Sequence, residues 1–129
     1  MRLLLASMLV LCEASQLARA AQAGGKTESG LATVYSHRLD GHKTASGKIY
    51  QPGAMTVAHK TLPFGSKVKI TNKRNGRSAV ATVTDRGPAQ PGRVLDVSPA
   101  VAHSLGMHRG GVTPVDVEVQ SADGRSSLR

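Results

Sequence analysis

Two aspartates on either side of a glycine–proline turn are the residues best placed for chemistry in this chain. Asp85 follows an apolar, alternating run (Ser78 to Val83) and opens Asp85-Arg86-Gly87-Pro88, where glycine and proline force the backbone out of a sheet. Asp96 lies in a second short run, Arg93 to Ser98, beyond the polar loop Ala89 to Gly92. A carboxyl accepts hydrogen bonds or moves a proton, so two of them delivered from neighbouring segments would form a polar groove on a rigid sheet, a usual place for binding and catalytic groups. The structural alternatives are plain. A turn aspartate accepts the N–H groups of its own loop, Asp96 pins a helix start, and His59, at the end of the run Ala54 to Ala58, is satisfied by a backbone carbonyl.

The elements that must position these groups are short strands. Leu31 to Ser36 reads as a strand, and His37 to Gly41 as a turn. Lys43 to Gly47 is a small-residue segment typical of chain that passes close to other backbone. Ile49-Tyr50 gives an apolar contact before Pro52-Gly53, and Ala54 to His59 fits either a buried strand or one helical turn. Lys67 to Asn72 alternates, with Val68 and Ile70 inward, and Asn75-Gly76, two residues that tolerate positive φ, joins it as a hairpin to Ser78–Val83. Pro99 to Leu105 is a short helix with Ser98 as N-cap and Gly106 as its stop, and Val112 to Val119 is a last strand with one wet face.

Composition limits the class. A chain of 129 residues with 40% hydrophobic content allows one domain, and one Phe, two Tyr and no Trp leave the core to aliphatic side chains. Fourteen glycines and six prolines indicate many turns between short strands, hence an all-β barrel or sandwich. The net charge of +9 attracts polyanions. The basic residues are scattered, however, and stacking aromatics are lacking, which disfavours a dedicated nucleic-acid binder. His103 and His108 are five apart across a helix-ending glycine and no Cys/His spacing supports zinc, so neither a metal nor another cofactor is expected.

The N-terminus reads as a secretory signal peptide over residues 1–23. Arg2 supplies the positive end, Leu3 to Leu11 the apolar stretch, and Ala18-Arg19-Ala20 and Ala21-Gln22-Ala23 two small-x-small cleavage sites. The mature chain is then periplasmic or secreted, has no thiol, and remains strongly basic. Cys12, the single cysteine, is the alternative: an acylated lipoprotein anchor, against which the bulky Leu11 argues. Residues 24–29 read as a linker, 30–120 as the domain and 121–129 as a disordered tail.

From Gly30 to Val119 the chain resembles the double-psi β-barrel domain of the rare lipoprotein A family, the septal-ring lytic transglycosylases. The motifs that carry the resemblance are Leu31 to Tyr35, Leu39 to Gly47, Ala54 to Pro63, Asn75-Gly76-Arg77, Asp85 to Pro88, Leu95 to Ser98 and Leu105-Gly106-Met107. The resemblance implies a six-stranded barrel with one short helix, related to expansins, and peptidoglycan glycan strands as ligand. It also implies a cleavage that leaves 1,6-anhydro-muramyl ends without using water. Such a reaction needs a proton donor at the glycosidic oxygen and an acceptor for the proton of the attacking C6 hydroxyl.

Carried over by position, the resemblance makes Asp85 the general acid/base, Asp96 its orienting or stabilising partner and His59 a hydrogen-bonding group in the groove. Tyr35 and Thr44 become supporting contacts. Where the family carries a glutamate and, three residues on, an aspartate, this sequence has Lys48 and Gln51. A lysine is a poor substitute for a carboxylic acid, and a glutamine does not titrate. The rival expectation is therefore an expansin-like wall-binding module that holds glycan through Lys48 and its basic neighbours without cutting it. Arg86 and Arg93 are expected to pair with Asp85 and Asp96 or to meet a carboxylate of the wall, and Asp40 is a further acid nearby. A monomer with no membrane span and no nucleic-acid partner completes the expectation.

Overall fold

The computed structural model describes residues 27–36, 39–108 and 111–121. The signal peptide, Cys12, the first residues of the linker, most of the C-terminal tail and His37 lie outside the described residues. Six strands and one helix follow in order: β1 Thr27–Val34, β2 Thr56–Ala58, β3 Lys67–Asn72, β4 Ser78–Asp85, β5 Arg93–Val97, α1 Pro99–Leu105 and β6 Thr113–Ser121. The strands close into a barrel in the order β1-β5-β2-β4-β3-β6. Two neighbouring pairs, β1 with β5 and β2 with β4, are parallel and the other four antiparallel. The all-β barrel with one short helix expected from the sequence is the fold observed.

Alternation builds the interior. Val68 and Ile70 of β3 are fully buried and face Ala81 and Ala79 of β4, so large side chains meet small ones across the pair, a fit that a narrow barrel requires. Val115 and Val117 enter from β6, Leu95 and Val97 from β5, and Val101 and Leu105 from α1. No aromatic ring belongs to this cluster. Gly30 lets β1 approach β5 closely, because a Cβ there would collide with Cγ1 of Val94.

Several boundaries differ from the sequence expectation. The segment Thr27 to Ser29, read as linker, pairs with Glu118, Val117 and Asp116 of β6, and Ser121, read as tail, still belongs to β6. Polar residues are tolerated there because that end of the pair is exposed. The ambiguous Ala54–His59 segment resolves into the three-residue strand β2, hydrogen-bonded on both edges. At the β3–β4 hairpin only Gly76 takes positive φ, at 77°, so the two-residue turn expected at Asn75-Gly76 is replaced by a longer loop. In it the Gly76 N–H donates to Asn72 O at 2.8 Å.

Asn75 is held back by its own side chain. Its Oδ1 accepts from Arg77 N at 2.9 Å, while its Nδ2 donates to the carbonyl of Leu105, the last residue of α1, at 3.0 Å. Asn72 Nδ2 reaches the same carbonyl at 2.8 Å. The hairpin tip thus caps the helix C-terminus, whose terminal carbonyls lack partners within the helix. At the other end Ser98 Oγ accepts from Val101 N at 3.2 Å, and Gly106 ends the helix at φ 69°, both as the sequence indicates.

Candidate active site

Strand pairing brings Asp85 and Asp96 to the same end of the barrel. Ala58 in β2 is in register with Asp96 of β5 on one side and Asp85 of β4 on the other, and Asp96 is in turn in register with Thr33 of β1. Four neighbouring strands therefore present Thr33, Asp96, Ala58 and Asp85 in one row. Both aspartates are partly exposed. Just past β1, Tyr35 donates its hydroxyl to Asp85 Oδ2 at 3.1 Å. Burial, then the charge of Asp85 and its hydrogen bond, then the charge of Asp96, push this phenol far above the ordinary tyrosine range, so it stays a donor. Tyr35 is the side chain that feels both carboxylates.

Asp85 is held by three donors. Besides Tyr35, Oδ1 accepts from Arg86 N and from Ala45 N, each at 2.9 Å. The second bond fastens a small hairpin, residues 41–50, onto the end of β4. In that hairpin Tyr50 N donates to His42 O and Thr44 N to Lys48 O, and at its tip Ser46 N donates to Thr84 O at 3.1 Å. The small residues Ala45, Ser46 and Gly47 are what permit this approach, the close passage legible in the sequence. Thr44 serves the same hairpin: its hydroxyl donates to Lys48 O at 2.7 Å and lies 2.9 Å from Ser46 Oγ.

Asp96 is freer. Oδ1 accepts from Thr33 Oγ1 at 2.5 Å, while Oδ2 faces Gly87, where an added Cβ would lie 3.6 Å away. Gly87 takes φ 128°, a conformation that favours glycine, so the turn beside this oxygen carries no side chain.

His59 is buried and uses both ring nitrogens within the protein. Nδ1 accepts from Thr61 N and Leu62 N, both at 3.1 Å, which places the ring proton on Nε2, 2.8 Å from Glu28 Oε1. Its backbone N–H donates to Asp85 O at 3.1 Å, so it stands directly behind the catalytic candidate. Arg86 does not pair with Asp85 as expected. Its Nη1 donates to Leu62 O at 2.7 Å and His59 O at 3.2 Å, and the guanidinium lies 4.1 Å from the centre of the Phe64 ring. Loop carbonyls and an aromatic face meet the planar cation better than an aspartate already held by three donors. Arg93 forms no ion pair with Asp96 either, the ion pairs among the described residues being His59–Glu28 and Lys73–Asp116.

Lys48 and Gln51 are not in the aspartate row. They line a cavity of about 420 Å³ with Ile49, Tyr50, Met55 and Lys67, among others. Thr82 and Thr84 also line it and alternate with the core residues Ala81 and Val83, so it lies on the outer face of the barrel. Two contacts join it to the aspartates: Tyr50 packs on Tyr35 with ring centres 4.7 Å apart, and Thr84 directly precedes Asp85. Sequence reasoning missed Lys67 and Glu28, which lie in stretches whose alternation or polarity signalled only a wet strand face and a linker.

A profile of the family described as lytic transglycolase matches residues 27–117. The chain belongs to this family. Among its relatives, the endolytic peptidoglycan transglycosylase RlpA of Vibrio cholerae is 48% identical over 99 residues, 77% of this chain and 38% of the relative. The probable endolytic peptidoglycan transglycosylase RlpA of Nostoc sp. is 49% identical over 92 residues, 70% of this chain and 25% of the relative. The chain thus spans well under half the length of these lytic transglycolase relatives. Among solved structures, the Streptomyces papain inhibitor superposes with a TM-score of 0.54 at 22% identity, over 74% of this chain and 96% of the inhibitor. An expansin from Clavibacter michiganensis does so with 0.54 at 23% identity, over 73% of this chain and 50% of the expansin. The family's fold here is the double-psi β-barrel.

Proposed function

We propose that this domain binds peptidoglycan glycan strands and cleaves the bond between N-acetylmuramic acid and N-acetylglucosamine, leaving a 1,6-anhydro end. The chain then works in the periplasm or outside the cell. The observation that carries the reading is the row of Asp85 and Asp96 on the two strands that flank β2, with Tyr35 under the influence of both, in a chain with relatives named endolytic peptidoglycan transglycosylase. In the reaction the glycosidic C1–O bond breaks as a carboxyl proton passes to the leaving oxygen. The C6 hydroxyl of the same muramyl residue then attacks C1 and gives its proton back to the carboxylate, so no water is consumed.

Asp85 is assigned the proton transfers, because backbone and phenol donors fix its orientation. Asp96, partly exposed and bound through Oδ1 to Thr33, steadies the positive charge that develops at C1. His59, Thr44 and Arg86 act as positioning residues, since each binds the loops that frame Asp85. The test is incubation of the domain with sacculi freed of stem peptides, followed by mass spectrometry. Anhydro-muropeptides that vanish in Asp85→Asn support the reading, and none at high enzyme dose overturns it.

A second reading, glycan binding without cleavage, is favoured by one observation: the cavity beside the aspartates is lined by an exposed lysine and a glutamine, Lys48 and Gln51, where the resemblance implies acids. The variant Lys48→Glu combined with Gln51→Asp separates the two. Cleavage gained only in the double variant would favour the binding module, and cleavage already present in the parent protein would exclude it.

A further inference from the structure

The tip of the β3–β4 hairpin lies away from the site described above and carries an unbalanced charge. Lys73, Arg74 and Arg77 fall within five residues, all exposed, with Asn75 and Gly76 between them and no apolar side chain. Lys73 Nζ has one acid at 3.8 Å, Asp116, whereas neither arginine belongs to an ion pair among the described residues. The backbone that presents these cations is fixed. Arg74 N donates to Asn72 Oδ1 and Arg77 N to Asn75 Oδ1, each at 2.9 Å. Lys73 N donates to Pro114 O at 3.0 Å, and Arg77 O accepts from Asn72 N at 2.8 Å. The Arg77 side chain runs past Gly106, where an added Cβ would lie 3.0 Å from Nη1 and 3.5 Å from Cδ. The end of α1 does not require this cation, because Asn72 and Asn75 already donate to the Leu105 carbonyl.

We propose that this tip is an electrostatic docking surface for the anionic phospholipid headgroups of a membrane. Charge and shape both argue for that occupant. A guanidinium presents paired N–H groups that match the oxygens of a phosphate, and each cation close to an anionic lipid surface contributes on its own, so a small cluster gives reversible adsorption without a pocket. A protein partner would need apolar or aromatic anchors to bury, and Lys73 to Arg77 supplies none. β4, eight residues long, begins at Ser78, just after Arg77, and ends at Asp85. The basic tip and Asp85 therefore stand at opposite ends of one strand, about 25 Å apart along it. A domain that rests on a membrane by its tip keeps Asp85 at the far end of β4, clear of the headgroups. The proposal does not depend on the reaction assigned to the aspartate row.

The test is co-sedimentation of the protein with phosphatidylcholine vesicles and with vesicles that contain about 30% phosphatidylglycerol. The anionic vesicles should bind more protein, and the difference should vanish as salt rises from about 0.1 M to about 1 M. Arg74→Gln and Arg77→Gln should each weaken binding to the anionic vesicles about fivefold, and together about 25-fold. Far-UV circular dichroism should not change, since the asparagine bonds use backbone N–H groups. The charge-matched control is Lys43→Gln with Lys60→Gln, exposed lysines outside the tip, which should leave binding within about twofold of the parent. Equal binding to both kinds of vesicle, or parent-level binding by the double arginine variant, overturns the proposal. A control pair that weakens binding as much as the arginine pair shows attraction by net charge alone and overturns it too. Arginine-dependent binding to polyglutamate or to DNA that is tighter than to vesicles overturns the membrane as occupant, and inorganic phosphate held as tightly as vesicles reduces the surface to a single-ion site. None of these outcomes bears on the roles of Asp85 and Asp96.

Discussion

The backbone N–H of Ala45 donates to Oδ1 of Asp85 at 2.9 Å, so one carboxylate both stands in the aspartate row and clasps the 41–50 hairpin to the barrel. This double duty separates two substitutions. In Asp85→Asn the amide oxygen still accepts from Ala45 and Arg86, and the amide nitrogen can donate to the Tyr35 oxygen. Stability should fall by less than about 1 kcal/mol, while anhydro-product formation falls at least about 100-fold. Asp85→Ala strands all three donors and should cost about 2–3 kcal/mol in urea unfolding. Parent-level cleavage by Asp85→Asn would leave the residue a structural clasp only.

The two tyrosines set the behaviour at high pH. Burial, with a lesser contribution from Asp40, raises the Tyr50 phenol to about 12, and Tyr35 lies higher still. Below the ordinary value of 10.0 both folded and unfolded chains keep these protons, and the contribution to stability is complete. Above it the unfolded chain ionises first and binds fewer protons than the folded one, so stability falls as pH rises. Phenolate absorbance should therefore appear together with loss of circular dichroism rather than before it. Tyr50→Phe, which also removes a buried hydroxyl without a partner, should move that alkaline transition to higher pH. Phenolate formed in a still-folded chain near pH 10 would contradict the assignment.

Much of this arrangement was legible in the sequence because it depends on local signals. The alternation of Lys67–Asn72, the Ser98 cap, the Gly106 stop and the turn after Asp85 each declare themselves within a few residues. The closeness of Asp85 to Asp96 was expected as a groove, but what produces it, β2 inserted between β4 and β5, depends on long-range pairing that a three-residue strand does not announce. The partners of Arg86 were misjudged for a similar reason: its nearest acid in sequence was already saturated by donors from distant segments. Thr27 to Ser29 looked like linker because exposed strand ends need no apolar pattern.

Asn72 and Asn75 together cap the carbonyl of Leu105, and their burial differs. Asn72→Ala loses that bond and the acceptor for Arg74 N from a site 2% exposed, so about 2–3 kcal/mol should be lost. Asn75→Ala, on the surface, should cost about 0.5–1 kcal/mol. Because the two donors share one acceptor, the double variant should be more destabilised than the sum of the singles in a double-mutant cycle. Additive losses would show that the helix end is satisfied without them.

His59 offers the sharpest separation between building the site and acting in it. Its Nδ1 satisfies two backbone donors, and its Nε2–H meets Glu28 of β1, so the ring ties the N-terminal strand to the loop behind Asp85. In His59→Asn the amide oxygen takes the place of Nδ1 and the link to Glu28 is lost. The expected cost is about 1 kcal/mol, with kcat within severalfold of the parent. His59→Ala leaves Thr61 and Leu62 N–H without an acceptor and should cost about 2–3 kcal/mol. Glu28→Gln retains an oxygen acceptor for Nε2–H and should change stability by less than about 0.5 kcal/mol. If His59→Asn instead kept its stability and lost kcat about 100-fold, the imidazole would have to touch the sugar directly, and its positioning role behind Asp85 would be wrong.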